Sequence, residues 1–147
     1  MKSRIRWPRV LGAALFSELG VIALLLAIGA VYSLWISPGR SAAEYQEFSA
    51  RLGYYVAPAA SGVAVFVSVL WLARRLTANF VMNGVLVGVV AVLLTAGFLF
   101  TAKPGDRFMY VVSFAVRIVA GYLGGLTAQA LQSRKQLSAT TVARATR

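Results

Sequence analysis

Two ionisable side chains, Glu18 and Arg117, lie inside long apolar stretches of this 147-residue chain. A charge at the centre of a bilayer costs about 3 kcal/mol on insertion scales, so such residues usually face protein or water and have a partner. One interpretation is a buried ion pair or polar network that fixes helix register. A second makes Glu18 a binding site for a proton or a cation, with Arg117 as its counter-charge or as an anion contact. A third places Glu18 shallow enough to reach the membrane interface.

Helix geometry makes contact between the two charges feasible. At about 1.5 Å per residue from the span ends that we expect to be cytoplasmic, Glu18 lies about 12 Å deep and Arg117 about 21 Å deep, a gap that two extended side chains can about cover. Asn83 is a further hydrogen-bonding candidate for Glu18, and Ser61 or Ser68 could serve either charge. The sequence therefore predicts three intramembrane polar or ion-pair candidates: Glu18, Arg117 and Asn83.

The residue inventory argues against enzymatic activity. Metal hydrolases, acyl-transfer triads and intramembrane serine proteases need a His, a Cys or clustered acids, and the chain has no His, no Cys and four acidic residues. Glu44 and Glu47 stand three apart, the spacing of a solvated helix face. No glycine-rich phosphate loop is present. We expect no catalytic residue, no metal and no cofactor.

Four apolar stretches must position these side chains. Each is long enough for a hydrocarbon core of roughly 30 Å, which takes about 20 helical residues. Charged residues make up 13% of the chain, against about 25% in soluble proteins. The sequence predicts an all-α polytopic membrane protein, an antiparallel four-helix transmembrane bundle over residues 10–131. Its spans are residues 10–36, 52–73, 80–101 and 108–131, between a basic segment (1–9) and a basic, disordered tail (132–147).

The basic residues are distributed unevenly along the chain. Ten of the fifteen lie before span one, after span four, or between spans two and three. Four of the others lie in the remaining two loops, together with three of the four acidic residues. This bias predicts an inner-membrane protein with both ends in the cytoplasm. The basic ends could also hold anionic lipids. They lack the stacking aromatic residues of single-strand binders, so we expect no nucleic-acid partner.

The first external loop contains a helix-start signal. Ser41 followed by Glu44 is a capping-box pattern, and Tyr45, Phe48 and Leu52 are spaced to line one helical face. The pattern predicts a short interfacial helix, which could continue into span two because Gly53 is the one weak helix former there.

Small residues mark the surfaces on which helices can pack. Gly84 and Gly88 in span three, and Gly121 and Gly125 in span four beside Gly124, stand at the spacing that lets helix backbones approach closely. The two stripes could pack spans three and four together within one chain. Alternatively, one of them could be a homodimer interface, and the spacing alone does not separate these interpretations.

Residues 12–20 read Gly-Ala-Ala-Leu-Phe-Ser-Glu-Leu-Gly, with small residues leading to a glutamate and a glycine two positions later. This segment resembles the small multidrug resistance transporters, in which a first-helix glutamate binds protons and cationic drugs in turn. The resemblance implies a proton-coupled transporter in which Glu18 titrates and an oligomer encloses the pathway. The chain departs from that family in its extended first external loop, its strong charge bias and its intramembrane Arg117.

The residues together favour a non-enzymatic scaffold or accessory subunit that acts as an oligomer or with a larger membrane partner. The alternative is a proton-coupled small-molecule transporter with Glu18 as the titrating site. A transporter needs a water-reachable polar cavity at Glu18, whereas a scaffold should pair Glu18 with Arg117 in a closed core.

Overall fold

A computed structural model describes residues 5–76 and 78–145 of the protein, and the side chains of these residues up to 134. Helices connected by short turns make up this part of the chain. No strand occurs among the described residues. The elements are α1 (Trp7–Val31), a π-helical turn (Tyr32–Ile36), α2 (Ala42–Ala73), α3 (Phe80–Thr95), α4 (Gly97–Thr101) and α5 (Arg107–Ala145).

Four segments are long and apolar enough to cross a membrane, so this is a multi-pass membrane protein. Their central windows have mean hydropathies between 1.6 and 2.4. They are span one (Trp7–Ile36), span two (Ala42–Ala73), span three (Phe80–Thr101) and span four (Arg107–Arg134).

Span one starts three residues earlier than predicted, at Trp7. Pro8 fits this first turn because the first N–H groups of a helix have no partner inside it. The span ends in the π-helical turn, where the Ser37 N–H donates to the Tyr32 carbonyl over 2.9 Å. Gly39 then adopts a φ of +79°, which reverses the chain.

The capping box starts α2 at the predicted residues. The Glu44 N–H donates to Ser41 Oγ over 3.4 Å, and the Ser41 N–H donates to a carboxylate oxygen of Glu44 over 3.0 Å. From there α2 runs without interruption to Ala73. Residues 42–51, for which the sequence predicts a short helix able to continue into span two, are therefore the first turns of one long helix.

Span four differs from the prediction at its far end. The sequence predicts disorder from residue 132, whereas α5 continues to Ala145. The physical reason is that no Gly or Pro occurs between residues 126 and 145, and Ala, Leu, Gln, Lys and Arg have good helix propensity. Residues 1–4 of the basic segment and residues 146–147 of the tail lie outside the described residues.

The spans differ in how deeply they are buried. Only 6% of the most apolar window of span one is buried, against 44% for span two. The buried residues of α1 form one stripe of mostly small side chains. Its buried members are Val10, Ala13, Ala14, Ser17 and Val21.

Spans three and four touch through their glycines. A Cβ added to Gly88 would lie 2.7 Å from the Arg117 carbonyl oxygen, and one added to Gly125 would lie 2.6 Å from the Cα of Val81. The backbones of Gly84 and Gly121 also meet directly. We call this contact, formed by Gly84, Gly88, Gly121 and Gly125, the glycine interface.

Gly124 belongs to a different contact. It faces span two, where an added Cβ would lie 3.1 Å from the Cβ of Val69. Span four therefore uses glycines on adjacent faces to pack against two neighbours at once.

Candidate functional site

Glu18 and Arg117 meet inside the helical assembly, although they are 99 positions apart in sequence. Arg117 Nη2 donates to Glu18 Oε2 over 3.1 Å. The two side chains are only 8% (Arg117) and 13% (Glu18) exposed. Such burial removes most of the water that would otherwise solvate the charges. Each charge is therefore stabilised mainly by the opposite charge of its partner.

The fold brings the two charges into contact without changing their relative depth. Span one starts at Trp7 and span four ends at Arg134, so Glu18 lies about 16.5 Å and Arg117 about 25.5 Å from these ends. The difference of about 9 Å is the one that the sequence predicts, and the two long side chains bridge it. Arg117 sits on the glycine interface itself, since Gly88 packs against its carbonyl oxygen. This close backbone contact therefore also positions the residue that carries the guanidinium.

Thr95 completes the arrangement from span three. Arg117 Nη1 donates to Thr95 Oγ1 over 2.7 Å, and the threonine hydroxyl donates to the Ala91 carbonyl over 3.0 Å. The resulting cluster, Glu18, Thr95 and Arg117, joins spans one, three and four. We call it the buried ion-pair cluster.

Thr95 is not among the partners that the sequence predicts for the two charges. A signal was available, because Thr95 continues the helical stripe of Gly84, Gly88 and Ala91. A polar side chain on the packed face of a transmembrane helix is expected to find a partner on the neighbouring helix.

Asn83 lies elsewhere and serves a local purpose. Its Nδ2 donates to the Asn79 carbonyl over 2.9 Å, at the turn that precedes α3, where Asn79 has a φ of +58°. Asn83 is 3% exposed, and its Oδ1 has no hydrogen-bond partner among the described residues. The structure therefore places Asn83 apart from Glu18, at the start of span three.

The serines suggested as partners for the charges are buried in span two. Ser61 Oγ donates to the Pro58 carbonyl over 2.8 Å and lies 3.4 Å from Ser113 Oγ of span four. Ser68 is 1% exposed. Ser61 thus forms a second polar contact between spans, separate from the buried ion-pair cluster.

The buried ion-pair cluster has two polar atoms left over. Glu18 Oε1 and Arg117 Nε are both buried, and neither has a hydrogen-bond partner within the described part of the chain. An unsatisfied buried group costs about 1–3 kcal/mol. The cluster can therefore accept one further hydrogen bond and donate another, in addition to holding the three spans.

An open cleft of about 640 Å³ lies at the end of the molecule where span three begins and span four ends. Neither Glu18 nor Arg117 is among its lining residues. They are Ala78, Asn79, Phe80, Val81, Met82, Gln129, Gln132 and Ser133. Within the described ranges, no group of three His, Cys, Asp or Glu residues could hold a metal ion.

Comparison with known proteins adds no family assignment. The chain matches no protein-family model, no curated protein and no solved structure.

Proposed function

We propose that this protein is a non-enzymatic scaffold or accessory subunit of the membrane, acting as an oligomer or beside a larger membrane partner. The observation that carries the proposal is the buried ion-pair cluster, in which the intramembrane charges bind each other and join three spans. Buried ion pairs add little net stability but can specify how helices align. Such a use of charge suits a protein whose task is to present a defined surface.

The proposal includes an antiparallel bundle. Contact partners along spans three and four run in opposite orders, with Val81 beside Gly125 and Gly88 beside Arg117. A hydrogen bond from Arg9 to the Arg75 carbonyl also joins the start of span one to the end of span two. Both contacts support up-and-down connections between successive spans.

In the membrane, we place both ends of the chain on the cytoplasmic side of the inner membrane. The excess of Lys and Arg at the chain ends and in the connection between spans two and three supports this orientation. The first turns of α2 would then lie at the external interface. There Tyr45 donates from its hydroxyl to the Ser37 carbonyl, and Phe48 stacks on Tyr32 at a centroid distance of 3.6 Å.

Span one is the surface we assign to a partner helix. The glycine interface is occupied within the chain, so it offers no free surface for a second protein. By contrast, no described residue lies within 4 Å of a Cβ added to Gly12, Gly20 or Gly29 of span one. Glycines without a neighbour let another helix approach closely in lipid.

One observation favours the alternative, a proton-coupled transporter of small cations. Glu18 Oε1 is buried and accepts no hydrogen bond from the described residues, so it could accept a proton. Neutralising Glu18 would weaken its bond to Arg117 and loosen span one from spans three and four. In a transporter, this loosening would be the step that opens the pathway.

The two functions make opposite predictions in proteoliposomes that contain the full chain, a pH gradient and a fluorescent organic cation. A scaffold gives the same cation flux as empty liposomes, with or without Glu18→Gln. A transporter gives pH-driven flux that Glu18→Gln abolishes, while Glu47→Gln, a matched change of an exposed glutamate, leaves it intact. Flux that disappears only with Glu18→Gln would replace the scaffold proposal with the alternative.

Cross-linking tests the partner surface directly, since the chain has no Cys to interfere. Leu26 of span one and Leu123 of span four are both exposed, at 69% and 49%, so each can be replaced by a single cysteine that a cross-linker can reach. In native membranes, we expect a cross-linked product of higher mass from Leu26→Cys and none from Leu123→Cys. The same result at both positions, whether product or no product, would contradict a partner on span one.

A further inference from the structure

Arginines and aromatic rings gather where span one begins and span two ends. Arg6 and Arg9 belong to the start of span one, and Arg74 and Arg75 directly follow span two. We call these four residues the arginine cluster. Three of them, Arg6, Arg74 and Arg75, are exposed, and Arg9 is half-buried.

A hydrogen bond holds the two halves of the arginine cluster together. Arg9 Nη1 donates to the Arg75 carbonyl oxygen over 2.6 Å. A guanidinium has five N–H donors, so this bond fixes Arg9 in position and leaves most of its donors for another acceptor.

An aromatic platform orients Arg75. Its guanidinium carbon lies 5.6 Å from the centroid of the Trp71 ring, and Trp71 in turn stacks on Phe16 at 5.8 Å. Trp71 is 48% exposed, and Trp7, which follows Arg6 at the start of span one, is 51% exposed. Tryptophans at the ends of spans are typical of the level at which lipid headgroups lie.

The chain supplies no carboxylate side chain to balance this charge. Of its four acidic residues, Glu18 is bound to Arg117, and Glu44 and Glu47 pair with Arg40 and Arg51 at the opposite end of α2. Asp106 follows the far end of span three, whose 22 residues extend about 33 Å. The arginine cluster is therefore free to attract a negatively charged group from another molecule.

We propose that the arginine cluster binds the phosphate headgroup of an anionic phospholipid. Guanidinium groups bind phosphate oxygens through paired hydrogen bonds. The cluster lies at the same ends of spans one and two as the exposed Trp7 and Trp71, the position at which headgroups are expected. A lipid also provides acyl chains, which can pack on the apolar surface of span one below Trp7. This site is independent of the scaffold proposal, because it would anchor the bundle equally in a scaffold or in a transporter.

The test measures lipid competition at this end of the full chain. With Trp35→Phe, the remaining tryptophan fluorescence comes from Trp7 and Trp71, and brominated lipids quench it on contact. Brominated phosphatidylglycerol should outcompete phosphatidylcholine in mixed vesicles. Arg9→Gln with Arg75→Gln should reduce this preference roughly fivefold for each arginine. Lys103→Gln with Arg107→Gln, which removes the same charge at the other end, should preserve it.

Further arms separate the possible outcomes. Arg9→Lys with Arg75→Lys keeps the charge and should retain most of the preference. The preference of the parent chain should fall in 1 M salt, where the screening length is about 3 Å, even if the glutamine variants fail to fold. Equal affinity for the two lipids, an equal loss in the Lys103 and Arg107 control, or a preference that persists in 1 M salt would overturn the proposal. Displacement of the lipid by an excess of inorganic phosphate would overturn it in favour of a soluble anion.

Discussion

Two arginine–glutamate pairs in this protein use the same chemical groups in opposite surroundings. Arg51 and Glu47, four residues apart on α2, approach to 2.6 Å with side chains that are 71% and 63% exposed. Arg117 and Glu18 on different helices approach only to 3.1 Å, but they are 8% and 13% exposed. The shorter contact is the weaker constraint, because water and salt screen it.

The difference shows that the surroundings determine what an ion pair does. Because the exposed pair lies within one helix turn, it can only adjust the local stability of the first part of α2. The buried pair joins spans one and four and, through Thr95, span three. Losing a single member there leaves a charge without solvent or partner, so the effect extends across the bundle.

Removing Arg117 should have the largest effect of the changes that test this difference between the two ion pairs. Arg117→Met should lower the free energy of unfolding by about 3–5 kcal/mol, because Glu18 is left buried and unpaired. Glu18→Gln combined with Arg117→Met should restore part of this loss, since no charge then remains. Chemical unfolding in detergent micelles measures each variant.

The complete double-mutant cycle then isolates the interaction between the two side chains. A clear coupling between Glu18→Gln and Arg117→Met is expected from their direct hydrogen bond. Strictly additive losses would contradict an energetic role for that bond.

The glycine interface should be the next most sensitive place. A methyl group on Gly88 would meet the Arg117 carbonyl at 2.7 Å and the Ile118 Cα at 3.0 Å, both backbone atoms that cannot rotate away. Gly88→Ala should therefore cost about 1–3 kcal/mol, the usual penalty for overpacking. It should also weaken the coupling between Glu18 and Arg117 by shifting the helix that carries the arginine.

Gly20→Ala provides the matched control on span one. Among the described residues nothing lies within 4 Å of the added methyl group, and alanine is the better helix former, so stability should be unchanged or slightly higher. An equal gain in stability from Gly88→Ala and Gly20→Ala would show that helix propensity, not close packing, dominates at both positions.

Thr95→Val tests the third member of the cluster with little change in shape. It removes the oxygen that accepts from Arg117 Nη1, and hydrogen bonds between transmembrane helices are worth about 0.6–1.7 kcal/mol. The control is Thr127→Val, because that hydroxyl is exposed and donates to the Leu123 carbonyl of its own helix. Thermal unfolding in the same micelles should separate the two variants, and identical midpoints would contradict the role of Thr95.

How well a feature can be predicted from the sequence depends on how many residues determine it. The four membrane-crossing helices follow from hydropathy and length alone, because a bilayer requires long apolar segments. Their ends are less predictable, as the early start at Trp7 and the continuation of α5 to Ala145 illustrate. Both depend on weak local preferences that span only a few residues.

The candidate site shows the same limit at the level of side chains. Because Glu18 and Arg117 lie in apolar segments, the sequence predicts that they have partners. Counting residues gives the depth of a side chain, but it gives neither the tilt nor the rotation of the helices, which decide what the side chain contacts. Thr95 and Asn83 both lie in span three, and the sequence predicts Asn83 as a further hydrogen-bonding candidate for Glu18. In the fold, Asn83 bonds to the local turn and Thr95 reaches the guanidinium. Only the packing of span three against span four distinguishes them.

Glu47→Gln should have the smallest effect, and it sharpens the comparison between the two ion pairs. The pair with Arg51 is exposed and four residues apart, a geometry worth about 0.3–0.5 kcal/mol in helices. That small loss should disappear in 1 M salt, where the screening length is about 3 Å. The coupling between Glu18 and Arg117 should persist in the same salt, because ions cannot reach between buried side chains. A coupling that salt abolishes would mean that the buried pair is open to water, and the contrast between the two environments would then be wrong.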